Sequence, residues 1–192
     1  MDRVGWAVMP LSLSREDGTD LRDECAALHD NGGFRRAGVG RGESLQVSDA
    51  IRQDEIMWLD HGVASIHQIA WIAKLEILRL ALNRRFFLGL FNYEGHFAIY
   101  PAGAFYKAHL DRHAGTRDRI VTVIVYLNAD WKPGDGGELK LWTSPQGRDG
   151  DFQLIEPRMG TLVCFMAEDF WHEVLPATKQ RMSITGWFRQ RG

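Results

Sequence analysis

Only two cysteines, Cys25 and Cys164, occur in this 192-residue chain, and no Cys-x-x-Cys spacing joins them. That argues against a disulfide framework or a thiolate zinc site, so both are expected as reduced core residues. Charge of one sign is equally scarce: 23 Lys and Arg face 25 Asp and Glu, for a formal net charge of -2. A chain so balanced is not expected to hold nucleic acid by electrostatics. No apolar run reaches the roughly eighteen residues of a membrane span. The opening Met-Asp-Arg-Val-Gly-Trp has no apolar segment after a basic start. The expectation is a cytoplasmic protein with neither a membrane nor a nucleic acid as partner. With 45% hydrophobic residues, the length suffices for one sizeable core, so one domain covering 1–192 is expected.

What the chain does contain changes character along its length. Between residues 14 and 31, Leu21, Cys25 and Leu28 recur at helical spacing, and Asn31-Gly32-Gly33 forms a stop. Residues 34–43, rich in glycine and arginine, read as loop or irregular strand. Residues 47–59, with Arg52, Asp54 and Trp58, read as a polar, mobile loop entering a short structured segment. The clearest helix lies between residues 65 and 83. There Ile66, Ile69, Ile72, Ala73, Ile77, Leu80 and Ala81 form a stripe predicted to back a sheet. After Arg84-Arg85 come short segments rich in aromatic and β-branched residues, with strands predicted at 86–90, 94–100, 106–111, 119–127, 138–142, 153–155, 161–166, 171–175 and 181–189. Helices first and strands after them make an α+β protein, and a jelly roll with helices packed on one sheet satisfies that order.

The chemistry starts at His109 and Asp111, which share one face if the backbone there is extended. A short motif of this kind is common, and alone it is weak evidence for a metal site. The third ligand must come from another strand, and His172 follows the apolar segment 160–166. His109, Asp111 and His172 together would be a facial triad of two histidines and one carboxylate, leaving positions open for non-haem Fe(II) oxygen chemistry. His113 is read as a loop histidine, and His29, His61, His67 and His96 as surface or core histidines. In residues 181–189, period-two geometry puts Arg181, Ser183, Thr185 and Trp187 on one face. A guanidinium turned into the same barrel needs an anion, and a bidentate carboxylate fits it. Tyr126 could add its phenol to that carboxylate, although taken alone it is more often a packed core ring.

These segments resemble the 2-oxoglutarate- and Fe(II)-dependent dioxygenases, in the prolyl 4-hydroxylase branch that holds the oxygen-sensing prolyl hydroxylases and their small bacterial relatives. The resemblance covers about residues 46–189. It is carried by Arg52-Gln53-Asp54, by Tyr100-Pro101 with His109-Leu110-Asp111, by Arg119 to Trp131, by Gly136-Gly137-Glu138-Leu139, by His172-Glu173-Val174 and by the segment after Arg181. It implies a double-stranded β-helix (a jelly-roll, cupin-like core) over 86–190, with residues 1–85 mainly helical support plus a substrate loop. It implies Fe(II) on His109, Asp111 and His172, with 2-oxoglutarate held by Arg181 and Tyr126, Tyr100 near it and Thr185 assisting. Arg52 and Asp54 would close over a peptide, and Arg119 and Trp187 would line its entrance. The implied reaction consumes O2, releases succinate and carbon dioxide, hydroxylates C4 of a proline in a protein such as a translation elongation factor, and takes ascorbate as reductant. Two alternatives stay open: the same chemistry on a free amino acid or small molecule, and a non-catalytic cupin-like metal or ligand sensor.

Overall fold

Each of the two described α-helices begins at a serine. Ser14 accepts a hydrogen bond from the Asp17 backbone N–H at 3.0 Å and opens α1 (Arg15–Asp30), whose first turn carries Glu16 and Asp17. Ser65 accepts from the Gln68 N–H at 3.1 Å and opens α2 (Ile66–Phe86). The Asn31 N–H returns to the Ala27 carbonyl, and Gly32 takes φ 75° to leave α1. Arg84 and Arg85 sit in the last turn of α2, where cations suit the carbonyl end of a helix.

The structure is a computed structural model and describes residues 1, 5–38, 46–112 and 118–191. Its strands are β1 (Trp6–Met9), β2 (Arg35–Arg36), β3 (Glu55–Trp58), β4 (Asn92–Tyr100), β5 (Tyr106–His109), β6 (Arg119–Tyr126), β7 (Leu139–Trp142), β8 (Phe152–Ile155), β9 (Leu162–Met166), β10 (His172–Val174) and β11 (Arg181–Arg189). Seven of them form one sheet in the order β1-β9-β6-β11-β4-β3-β2, and four form a second in the order β5-β10-β7-β8. The pairs are antiparallel. This is the expected double-stranded β-helix with supporting helices.

Two cores follow from the alternation along the central strands. Val121, Val123 and Val125 of β6 join Phe97, Ile184 and Phe188 against Leu21, Cys25, Trp71 and Leu75 of the helices. Ile124 and Tyr126 of β6 turn the other way, into the space shared with Tyr100, Leu139, Leu141 and Phe165. Because both of its faces are covered, β6 is buried from Ile120 to Tyr126 and apolar there except at Thr122. Burying a side chain such as Leu75, 1% exposed, contributes about 1.5–3 kcal/mol.

Three expectations are corrected. No strand forms at 86–90: Phe86 completes α2, and Asn83 bonds both the N–H and the carbonyl of Leu90 at 2.8 Å, taking the place of a strand neighbour. The helical part of the chain also supplies strands, since β1 pairs with β9 and β3 with β4. The predicted stripe of α2 does not pack on the sheet. Ile66 is 72% exposed and Ile77 71%, while Gln68, Trp71, Leu75 and Leu82 are buried. The helix is apolar nearly all round, so its period does not select a face. Glu24 of α1 decides it, accepting from Gln68 Nε2 at 2.6 Å and Ser65 Oγ at 2.8 Å.

Candidate active site

β5 and β10 are neighbours in the small sheet, and their register sets His109 opposite His172. Asp111 lies just past the end of β5 and turns back between them. Its Oδ1 is 3.6 Å from His109 Nε2 and its Oδ2 3.4 Å from His172 Nε2. One ligand atom from each residue lies within 4.8 Å of the others, as a shared metal ion requires.

The second nitrogens are committed elsewhere. His109 Nδ1 lies 2.8 Å from the Lys107 carbonyl, and His172 Nδ1 lies 3.0 Å from the Phe170 carbonyl. A carbonyl only accepts, so each Nδ1 carries a proton, which leaves each Nε2 as the ring atom available to a metal. Burial, with His109 beside it, pushes His172 down to about 4, which keeps it a neutral ligand. Burial works to raise the Asp111 carboxyl, but the two imidazoles and the Thr122 hydroxyl outweigh it and hold the group well below the usual carboxylate range. Thr122 Oγ1 donates to Asp111 Oδ2 at 2.7 Å. Two imidazoles and an ionised carboxylate fit a divalent iron.

At the other end of the cavity, Arg181 is 2% exposed and Tyr126 0%. The Arg181 Nε donates to the Gly137 carbonyl at 2.9 Å, and its guanidinium lies 4.9 Å from the Tyr126 ring and 5.1 Å from the Tyr100 ring. No carboxylate among the described residues pairs with it. The Tyr126 hydroxyl is buried without a hydrogen-bond partner, and burial raises its pKa even beside the guanidinium. A buried cation that no carboxylate meets, beside a buried hydroxyl, suits an anion that can meet both. A carboxylate satisfies the pair.

Tyr100, Thr185, Trp187, Arg52 and Arg181 line one cavity with the three candidate ligands. Three other residues expected at the site, Tyr126, Asp54 and Arg119, are not among those that line it. Asp54 is buried and bonds Arg52 through both carboxylate oxygens, at 2.7 and 2.5 Å. Arg119 bonds Glu94 at 2.8 Å and lies 3.5 Å from the Trp187 ring, on which it stacks. His113 lies outside the described residues.

Sequence reading missed several cavity residues. His96 lines the cavity, 4% exposed, between Trp58 and Trp187. Burial pushes it down to about 3, so it is neutral. Period two counted back from Tyr100 puts His96 on the same face, which was the available signal. Tyr106 also lines the cavity and meets His109 within β5 itself, whereas the contact of Thr122, outside the lining, with Asp111 arises only across the fold.

Residues 95–189 match the profile of the 2OG-Fe(II) oxygenase superfamily. A prolyl-4-hydroxylase of Pseudomonas putida is 40% identical, with 98% of this chain and 94% of that one covered and a TM-score of 0.88. A Trichoplax adhaerens prolyl hydroxylase, solved with a hypoxia inducible factor peptide, is 26% identical over 98% of this chain and 84% of that one, with a TM-score of 0.84. Egl nine homolog 1 of Homo sapiens is 33% identical over 98% of this chain and 44% of its own length. The chain spans about half the length of the curated Egl nine relatives.

Proposed function

The chain belongs to the 2OG-Fe(II) oxygenase superfamily, in its prolyl hydroxylase branch, and on that premise we propose that it hydroxylates C4 of a proline in a protein, with succinate and carbon dioxide as co-products. The observation that carries this reading is the buried Arg181 guanidinium, which no carboxylate meets among the described residues, in one cavity with the His109, Asp111 and His172 cluster and beside the partnerless Tyr126 hydroxyl. A metal-binding triad alone suits many reactions; a triad with a buried carboxylate anchor suits a diacid co-substrate.

Bound by the triad, Fe(II) supplies the redox chemistry that couples O2 to the decarboxylation of 2-oxoglutarate. His109 and His172 offer Nε2, Asp111 its ionised carboxylate, and Thr122 keeps that carboxylate oriented. Arg181 would meet the far carboxylate of 2-oxoglutarate, with the Tyr126 hydroxyl as a further donor. Tyr100 and Thr185 wall the co-substrate. Arg52, fixed by Asp54, and Trp187, backed by Arg119, present a cationic and aromatic edge to a peptide. His96, neutral by burial, completes that wall.

A protein as substrate is supported by the relatives, one of which was solved with a peptide of hypoxia inducible factor. A translation elongation factor, expected from the resemblance, is the first protein to test. Two buried free cysteines support a reducing, cytoplasmic setting. Among the described residues no helix is long and apolar enough to cross a membrane.

Purified protein given Fe(II), 2-oxoglutarate and ascorbate will release succinate, and Asp111→Ala will abolish that release. An active Asp111→Ala protein would remove the triad from the reaction. Mass spectrometry of proteins from cells with and without this chain will show one added oxygen on a prolyl residue; an added oxygen on a free amino acid instead would move the substrate to the small-molecule class.

A further inference from the structure

The segment carrying Arg52 and Asp54 is fastened to the strand carrying His109. Arg52 and Tyr106 form an antiparallel bridge, the Gln53 N–H donates to the Phe105 carbonyl at 3.1 Å, and the Lys107 N–H donates to the Ile51 carbonyl at 2.9 Å. Their side chains stack in a column. The Tyr106 and His109 rings have centroids 3.6 Å apart and planes 18° apart. With one face of Tyr106 taken, the Arg52 guanidinium covers the other, 4.3 Å from the ring centroid. Arg52 is held in turn by Asp54, whose carboxylate is fully buried and whose carbonyl accepts from the Ala37 N–H at 2.9 Å.

The column therefore runs carboxylate, guanidinium, phenol, imidazole, and its last member is a candidate metal ligand. Among the described residues, His109 otherwise meets His172, the Asp111 carboxylate 3.6 Å from its Nε2, and the Lys107 carbonyl at Nδ1. A flat plate on its ring settles the tilt that the Nδ1 bond leaves free.

We propose that the Asp54–Arg52–Tyr106 column is a positioning device for His109, so that docking of residues 51–54 and metal binding at the triad strengthen each other. This rests on the reading of the triad as a metal site. Linkage makes the effect reciprocal: what the docked segment adds to metal affinity, the metal returns as protection of the segment. Two readouts therefore exist that need neither co-substrate nor turnover.

The test uses Mn(II) alone, titrated by loss of its free-ion EPR signal, and hydrogen exchange of peptides covering residues 51–56. Tyr106→Leu removes the plate and Asp54→Asn loosens Arg52; each should bind Mn(II) roughly threefold to tenfold more weakly, the scale of one aromatic stack. Tyr106→Phe keeps the plate and should bind as the wild type does. Mn(II) should slow exchange over residues 51–56 in the wild type and in Tyr106→Phe. Equal Mn(II) affinity in Tyr106→Leu, or exchange in the wild type that ignores Mn(II), overturns the coupling alone. A wild type that takes up no Mn(II) overturns the metal reading with it. If Tyr106→Leu fails to fold, Asp54→Asn and the wild-type exchange decide the matter.

Discussion

The two ends of the cavity are built in opposite ways. At the triad, both Nδ1 atoms and the Asp111 carboxylate have partners, Lys107, Phe170 and Thr122 among them, before any ligand arrives. At the anchor, Arg181 has one backbone acceptor and the Tyr126 hydroxyl has none. The first end is set in advance and needs only an ion to replace the mutual attraction of its own groups. The second is held in an unfavourable state by the fold and is relieved by a guest. Under the proposed function, co-substrate binding at Arg181 would recover folding stability given up there.

The contrast can be broken most sharply at Arg181. Replacing it with methionine, Arg181→Met, should weaken 2-oxoglutarate binding by roughly a hundredfold, as loss of one partner of a buried charge pair does. The ligand-free protein should melt at the same temperature or higher, because an uncompensated buried charge has gone. Calorimetric titration and thermal melts check the two halves. A melting temperature that falls steeply would show that Arg181 is already satisfied.

A smaller, matched pair of changes removes one hydroxyl from each end. Thr122→Val should destabilise the ligand-free protein by about 1.5–3 kcal/mol, since it strips a buried carboxylate of a donor. Tyr126→Phe should shift stability by no more than about 1 kcal/mol, and upward, while still lowering 2-oxoglutarate affinity several-fold. Urea melts of the two variants side by side give the comparison directly. Equal losses would mean that the two ends do not differ in the way their hydrogen bonds suggest.

The strands that carry this site were largely legible, because aromatic and β-branched runs broken by glycine and proline state their period locally. β11 was predicted with the same bounds that it has, and its alternation put Arg181, Thr185 and Trp187 on one face. α2 was legible as a helix but not as to which side it buries, since isoleucines occupy one face and Trp71, Leu75 and Leu82 the other. His96 was passed over because a histidine without a nearby ligand-type partner in sequence carries no mark of its own. Asp54 was placed with the substrate residues, and only the folded chain shows its carboxylate buried behind Arg52.

What the sequence by itself determined is the set of chemical groups and their order: an imidazole and carboxylate two residues apart, a distant imidazole, and a guanidinium on an alternating strand. Those are properties of residue type and of backbone period, and they survive without tertiary contacts. What only the tertiary structure decided is which groups are satisfied. Whether Thr122 reaches Asp111 and whether the Tyr126 hydroxyl is left alone depend on how separate strands register with one another. A shift of one residue in any of those pairings would turn the side chain to the opposite face.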